Sequence, residues 1–456
     1  MTTSAQHPHT RRTRRGPSVL LLIGALATAL LFSLSGGHAP SNRPAHEVIG
    51  AGAIDVDDLD GRDPRQMDSK RPKVEASFPL ESYAPGSRAR LVFVSKAKNV
   101  TLQFFKAGTE GRRPKASDVM LGSSMSARLL LGNVSPRRTV RLPIGHWPSG
   151  VYFARLTARG RRVGYAPFVL RPHVLGEHRV AVVMPTQTWQ AYNFRDEDGD
   201  HVGDTWYADA HRNTVRLGRA FLNRGVPPHY KYYDEPFLRW LHASGKPVDY
   251  LSDAELNHVG SGRELARDYA LIVFPGHHEY VTKHEYDVVT EFRNHGGNLM
   301  FLSANNFFWQ VRIHGDVMTR VVRWRDIGRP EARLVGVEYF DWDHATGRRG
   351  PWIVRNVSAA PWIFAGSGLG FASRFASGGI EADSTDAHSP ANVRVLARIP
   401  NIFGDGRSAE MTYYQHDGAK VFAAGAFTLA GSVWQPPVER MIENLWTRLA
   451  ETTGTS

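Results

Sequence analysis

The sequence contains no cysteine. That absence excludes disulfides, thiolate metal sites, lipid attachment at an N-terminal Cys and any Cys–His nucleophile, so stability has to come from packed cores and bound ions. A basic cluster with interleaved aromatics is also missing. The formal net charge is +12, but Arg11, Arg12, Arg14 and Arg15 crowd in front of the apolar run 19–34 and further Arg is dispersed, which excludes nucleic acid as a natural partner. There is no internal repeat. A Ser or Cys nucleophile elbow is lacking as well: the turn where an α/β sheet could carry one holds Gly276, His277, His278 and Glu279, which disfavours covalent acyl-enzyme chemistry.

What is present divides the 456 residues into four stretches. Residues 1–40 combine a basic start, an apolar middle and the small-residue sequence Gly37-His38-Ala39, as in an export signal, so the protein is expected to be secreted or held at the outer face of the membrane. Arg14-Arg15 loosely resembles a twin-arginine signal. The alternative is an uncleaved membrane anchor, for which the apolar run is near the lower length limit. Residues 41–73, rich in Pro, Asp, Arg and Gly without periodicity, predict a disordered linker. Residues 74–172 carry short alternating runs between Pro/Gly turns and predict an Ig-like β-sandwich.

From residue 173 to 456 strand-like and helix-like segments alternate, the pattern of a parallel, helix-covered α/β sheet. Strands are expected at 180–184, 248–251, 270–274, 298–302, 335–340 and 420–424, with helices at 235–244 and 438–449. A further helix follows the sequence HHEY. Thr282 and Glu285 form its capping box, Tyr286, Val289 and Phe292 its core face, and Gly296-Gly297 its end. Its N-terminus is expected beside the HHEY turn.

Three groups of residues carry chemistry. In YALIVFPGHHEY, residues 269–280, a continuously apolar strand runs into His277, His278, Glu279 and Tyr280, and ligands of open α/β sheets bind beyond such strand ends. His277 and Glu279 could bind a metal there or move a proton; the plainer reading is a polar surface loop. The block TQTWQAYN, residues 186–193, brings Trp189 and Tyr192 to a second strand end, and the strand at 298–302 delivers Asn305, Asn306 and Trp309. The rings would serve equally as packing aromatics. In DEDGDHVGD, Asp196, Asp198 and Asp200 alternate and Asp204 closes the run, a spacing of carboxylates suited to calcium. The terminal Glu of an EF-hand is missing and the Gly lies early, so a solvated acidic loop is the competing reading.

The blocks TxTWQAYN, EPFLRWLHASGKPVDYLSDAEL, LIVFPGHHEYVT and FRNHGGNLMFLSANNFFWQVR together resemble the C-terminal region of the N,N-dimethylformamidase large (beta) subunit and its relatives. The resemblance covers roughly residues 179–451 and implies a class I glutamine-amidotransferase-like fold without that fold's cysteine. It implies a mononuclear iron held by two tyrosinates and a glutamate, with a histidine nearby, acting on a small formamide. Carried over, Glu279 is the metal glutamate, His277 the histidine and Tyr192 the first tyrosine. Tyr207 is the preferred second tyrosine, with Tyr232 and Tyr233 as fallbacks; His278 and Tyr280 are structural. A tightly bound trivalent cation would favour phenolate over phenol, and hard oxygen ligands suit a hard metal. The expected function is metal-dependent hydrolysis of a C–N bond in a small amide. The alternative is an inactive cell-envelope protein whose sandwich binds polysaccharide or a protein partner.

Overall fold

The computed structural model describes residues 73–451. The export segment, its anchor alternative and all but the end of the linker expected before that point lie outside the described residues. Among the described residues no helix is long and apolar enough to cross a membrane.

Residues 73–170 form two sheets around one core. Arg88–Phe93 buries alternate residues, Ala89, Leu91 and Phe93, and pairs antiparallel with Ala76–Ser77 and Thr139–Pro143. The facing sheet runs through Ala97–Lys106, Gly150–Thr157 and Gly164–Leu170, and sends Leu102, Phe104, Ala154 and Phe168 into the same core. Gly150–Thr157 is buried on both sides. Its other face, Val151 and Phe153, belongs to the core of the domain that follows.

That domain is built on a sheet whose first part is parallel. Val180–Met184 pairs in parallel with Asp249–Ser252 on one side and Leu271–Phe274 on the other; Asn298–Phe301 and Ala419–Ala423 continue the parallel run. Numbered along the chain, the five strands lie in the order 2-1-3-4-5. Leu271, Ile272 and Val273 are fully buried, as a strand covered on both faces requires, and truncating Leu271 or Ile272 to Ala would cost about 2–5 kcal/mol. Beyond Ala419–Ala423 the sheet turns antiparallel through Ala409–His416, Arg394–Ile399, Arg349–Val354, Arg374–Ser384 and Glu338–Trp342.

The helices cover the sheet by their apolar periodicity. Pro436–Ala450 buries Val438, Met441, Ile442, Leu445 and Leu449, and Asn298 of the sheet donates to the Leu449 carbonyl at 2.8 Å. Lys283–Asn294 starts in a complete capping box between Thr282 and Glu285. One expected strand is corrected: residues 335–340 are not continuous β, because Ala332–Val335 forms a helical turn ended by left-handed Gly336, and the strand begins at Glu338.

Candidate functional site

The order 2-1-3-4-5 reverses between the first and third strands, and the crevice beyond such a switch point is where open α/β sheets take their ligands. Both strands deliver functional side chains there. After Val180–Met184 and Pro185 a short helix, Thr186–Ala191, ends at Tyr192. After Leu271–Phe274 the chain passes Gly276, where a Cβ would lie 2.4 Å from Asp234 Oδ1, and reaches His277–Glu279. Thr188 Oγ1 accepts from the amides of Glu279 at 3.2 Å and Tyr280 at 3.4 Å, tying helix and turn together.

The expected helix starts at Lys283 with Thr282 as its N-cap. Between it and the turn, Tyr280–Thr282 pairs as a strand in parallel with the start of Trp309–His314, and the capping box takes up the amides of Thr282 and Glu285. The site carboxylate is satisfied otherwise. Tyr192 donates to Glu279 Oε2 at 2.8 Å and Tyr207 donates to the same oxygen at 3.0 Å. The two phenol rings stack with centroids 4.3 Å apart. The Tyr207 hydroxyl also bonds that of Tyr280, which accepts from Trp206 Nε1 at 3.0 Å. His277 Nε2 stands 3.5 Å from Glu279 Oε2 and 3.3 Å from Glu381 Oε2.

Burial sets the electrostatics. It pushes the Glu279 carboxyl up to about 7, opposed by His277, and with Glu279 it pushes both phenols well above their ordinary range. Burial alone would lower His277, but Glu381, Glu279 and Asp383 outweigh it and hold the imidazole above its usual value. Although the two lie close, neither His277 Nε2 nor Glu381 Oε2 has a properly aligned hydrogen-bond partner. His278 differs: its Nε2 lies 3.0 Å from the Val183 carbonyl and its Nδ1 3.3 Å from that of Gly276, and burial lowers it to about 3.

Tyr207 reaches Glu279 because its loop is clamped. Arg219, 1 % exposed, donates to the carbonyls of Gln190, Asn193, Arg195, Asp204 and Arg216 over 2.8–3.3 Å. It thereby joins the end of the Tyr192 helix to both ends of the acidic loop. All five donors of a guanidinium are used, which no other side chain can supply. Tyr232 and Tyr233 pack in a cluster of their own with Ala304 and Phe427. Tyr233 stacks between His229 and Phe427, and the Tyr232 ring lies under the Lys231 ammonium.

The acidic loop brings together ligand oxygens of Asp196, Asp198 and Asp204, but not Asp200. Asp200 is exposed and takes the amide of Val202 at 2.7 Å, so the four-carboxylate arrangement expected from the spacing is not formed. The other three are already engaged to differing degrees. Asp196 takes the amides of Gly199 and His201, which help hold its carboxyl below the ordinary value. Asp204 takes the amide of Glu197 at 2.7 Å and pairs with Arg212 at 2.9 Å. Asp198 lies 3.7 Å from the same Arg212.

Of the residues from the strand at 298–301, Asn305 donates its amide to Asp383 at 2.9 Å, while its Oδ1 and Asn306 Nδ2 are buried without partners. Trp309 packs with the apolar cluster behind Tyr192 and Tyr207. Two site residues escaped the sequence reading. Glu381 comes from the antiparallel strand Arg374–Ser384, and the only hint was a pair of acids, Glu381 and Asp383, at alternate positions of a buried run. His229, in the left-handed region at φ 60°, sits 6.2 Å from Tyr192 in ring centroids, and burial next to His277 lowers it to about 4. With Tyr192, His277, Trp189, Tyr233 and Asp234 it lines a cavity of about 10 Å³, room for roughly one water-sized group.

A parallel α/β sheet with a tyrosine–glutamate–histidine cluster at its switch point defines the class. The chain belongs to the N,N-dimethylformamidase beta subunit-like family, whose C-terminal region matches residues 135–437. It is similar to the N,N-dimethylformamidase beta subunits of an Alcaligenes species, 32 % identical over 81 residues, and of Paracoccus aminophilus, 31 % identical over 81 residues. Those segments cover 18 % of this chain and only 10 % of each relative's length. Among solved structures, superoxide reductase (neelaredoxin) from Ignicoccus hospitalis aligns at 21 % identity over 22 % of this chain and 80 % of its own, with a TM-score of 0.13. A Paenibacillus cycloisomaltooligosaccharide glucanotransferase aligns at 12 % identity over 42 % of this chain and 30 % of its own, with a TM-score of 0.14. At those scores neither informs the fold or the function.

Proposed function

We propose that Tyr192, Tyr207 and Glu279 hold a single iron ion and that the protein hydrolyses the C–N bond of a small amide. The observation that carries this reading is the convergence of two phenols on one carboxylate oxygen, Glu279 Oε2. An all-oxygen donor set suits a hard cation, and burial has left the three groups short of positive charge. When bound, the ion supplies Lewis acidity toward a carbonyl oxygen and lowers the pKa of water.

The protein's own groups do the rest. In its neutral form His277 Nε2, facing Glu279 and Glu381, takes a proton from the attacking water and returns it to the leaving nitrogen, and Glu381 stabilises the charged imidazole meanwhile. His278 cannot share this work, since both its ring nitrogens face backbone carbonyls. The small cavity walled by Trp189, His229 and Tyr233 has room for one water-sized group, the size of the attacking water. The 2-1-3-4-5 strand order supports an amidotransferase-like reading of this domain, in which the His277–Glu279 turn stands where a nucleophile would. The basic and apolar N-terminal residues support an exported location, checked by sequencing the mature N-terminus.

The test is release of amine from formamide and N,N-dimethylformamide by the iron-loaded protein and by Glu279→Gln. Hydrolysis by the parent and none by the variant is expected. Iron bound without turnover of any small amide would overturn the hydrolytic half of the proposal.

A further inference from the structure

A cleft of about 1330 Å³ opens where residues 79–88 and Arg171 of the β-rich N-terminal part face the segment 254–259 and the strand Trp309–His314. None of Tyr192, Tyr207, His277, Glu279 or Glu381 lines it. It is somewhat larger than the roughly 300–1,000 Å³ usual for small-molecule sites, and it lies at a junction of domains, where such sites concentrate. Its wall is largely apolar: Leu80, Tyr83, Leu175, Leu217, Val311 and Ile313 face it. Leu80 is 61 % exposed, an unusual position for a large aliphatic side chain in a concave surface.

The charges around it do not cancel. Arg88, Arg171 and Arg312 line the cleft, and among the described residues no carboxylate pairs with any of them. The carboxylates that also line it are engaged. Glu81 accepts from Thr186, Glu255 closes the capping box at Ser252 and takes the Ser82 hydroxyl, and Asp316 faces Arg216 at 3.5 Å. Lys283 is held by Asp287. Three guanidiniums with donors to spare therefore stand over an apolar wall, and the planar fork of arginine matches carboxylate and phosphate oxygens.

We propose that this cleft is a second ligand site, for a free amphipathic anion whose alkyl chain lies along the Leu80–Ile313 wall and whose carboxylate or phosphate head meets Arg88, Arg171 and Arg312. The concave shape selects a single molecule over a bilayer surface. This proposal is independent of the metal reading.

Calorimetric titration of the intact chain with decanoate, decyl phosphate, decanol and anionic phospholipid vesicles tests it. Saturable one-site binding of both decyl anions is expected, with decanol about tenfold weaker or more. The double variant Arg88→Ala/Arg312→Ala should weaken the anions about tenfold and leave decanol and the melting temperature unchanged, since both residues are exposed. Leu80→Asp should weaken all three decyl compounds. Equal binding of decanol and decanoate, anion binding indifferent to the double variant, binding to vesicles alone, or no binding would each overturn the proposal.

Discussion

The loop 196–204 and the turn 277–279 both gather oxygen donors at one end of the chain's second domain, and they differ in what those oxygens are already doing. In the loop, Asp196 and Asp204 accept backbone amides, Asp204 is paired with Arg212, and the Asp198 side chain is 55 % exposed. In the turn, Glu279 is 4 % exposed, receives two phenols that burial has made poor acids, and adjoins two buried atoms with no partner. On the proposed iron reading, density of carboxylates is a weak guide to a metal site. Buried bonding capacity left over after folding is a stronger one, because its cost of burial is met only when a ligand arrives. The loop's carboxylates serve mainly to fold the segment that carries Tyr207 inward.

The largest effect should come from severing the two regions. Arg219→Ala leaves five carbonyls without their donor, and even with water replacing some bonds the loss of stability should reach about 3 kcal/mol or more in denaturant unfolding. Because the clamp sets Tyr207 against Glu279, iron affinity should fall with it; a variant that keeps full iron binding would break the link between loop and centre.

Within the centre, Glu381→Gln keeps the shape and removes the charge that faces His277 Nε2. Amide hydrolysis should slow by about 10²-fold with iron content retained, measured as kcat/KM against metal analysis. An unchanged rate would remove Glu381 from the proton path.

Asp234, behind the turn, gives a signal that depends on pH. Burial raises its carboxyl to about 8, only partly offset by the bond from Trp189 Nε1. The folded state keeps this proton from about pH 4, where the unfolded chain loses it, up to about pH 8. Its contribution to stability is therefore full below pH 4 and is lost as pH rises to 8, by up to about 1.4 kcal/mol per pH unit. Asp234→Asn should flatten that slope in melting curves between pH 5 and 8; an unaltered slope would place the titration elsewhere.

The smallest effect belongs to the loop's surface. Asp198→Asn should shift stability by no more than about 0.5 kcal/mol, with or without calcium in the melting experiment. A calcium-dependent stabilisation lost in this variant would restore the loop as a metal site and undo the contrast drawn above.

Much of the centre was legible along the chain. The apolar run ending in His277–Glu279 and the block ending in Tyr192 each sit beside their own strand, so local pattern located them. Tyr207 was readable only through resemblance, since what brings it in is Arg219, whose five bonds reach back across the loop. Glu381 was not legible because it arrives from a strand about a hundred residues later in the antiparallel part of the sheet, and no local periodicity encodes that pairing. The helix after the turn was legible from its capping box at Thr282 and Glu285, whereas the strand pairing of Tyr280–Thr282 with Trp309–His314 was not, because its partner lies about thirty residues later.

The central claim, that Tyr192, Tyr207 and Glu279 form a metal centre, is tested most directly by elemental analysis and visible absorption of the natively produced protein beside Glu279→Gln and Tyr207→Phe. One iron per chain with a tyrosinate charge-transfer band, lost with Glu279→Gln and weakened or shifted with Tyr207→Phe, is the predicted result. A folded parent protein that neither contains nor takes up iron, or a band untouched by both substitutions, would contradict it.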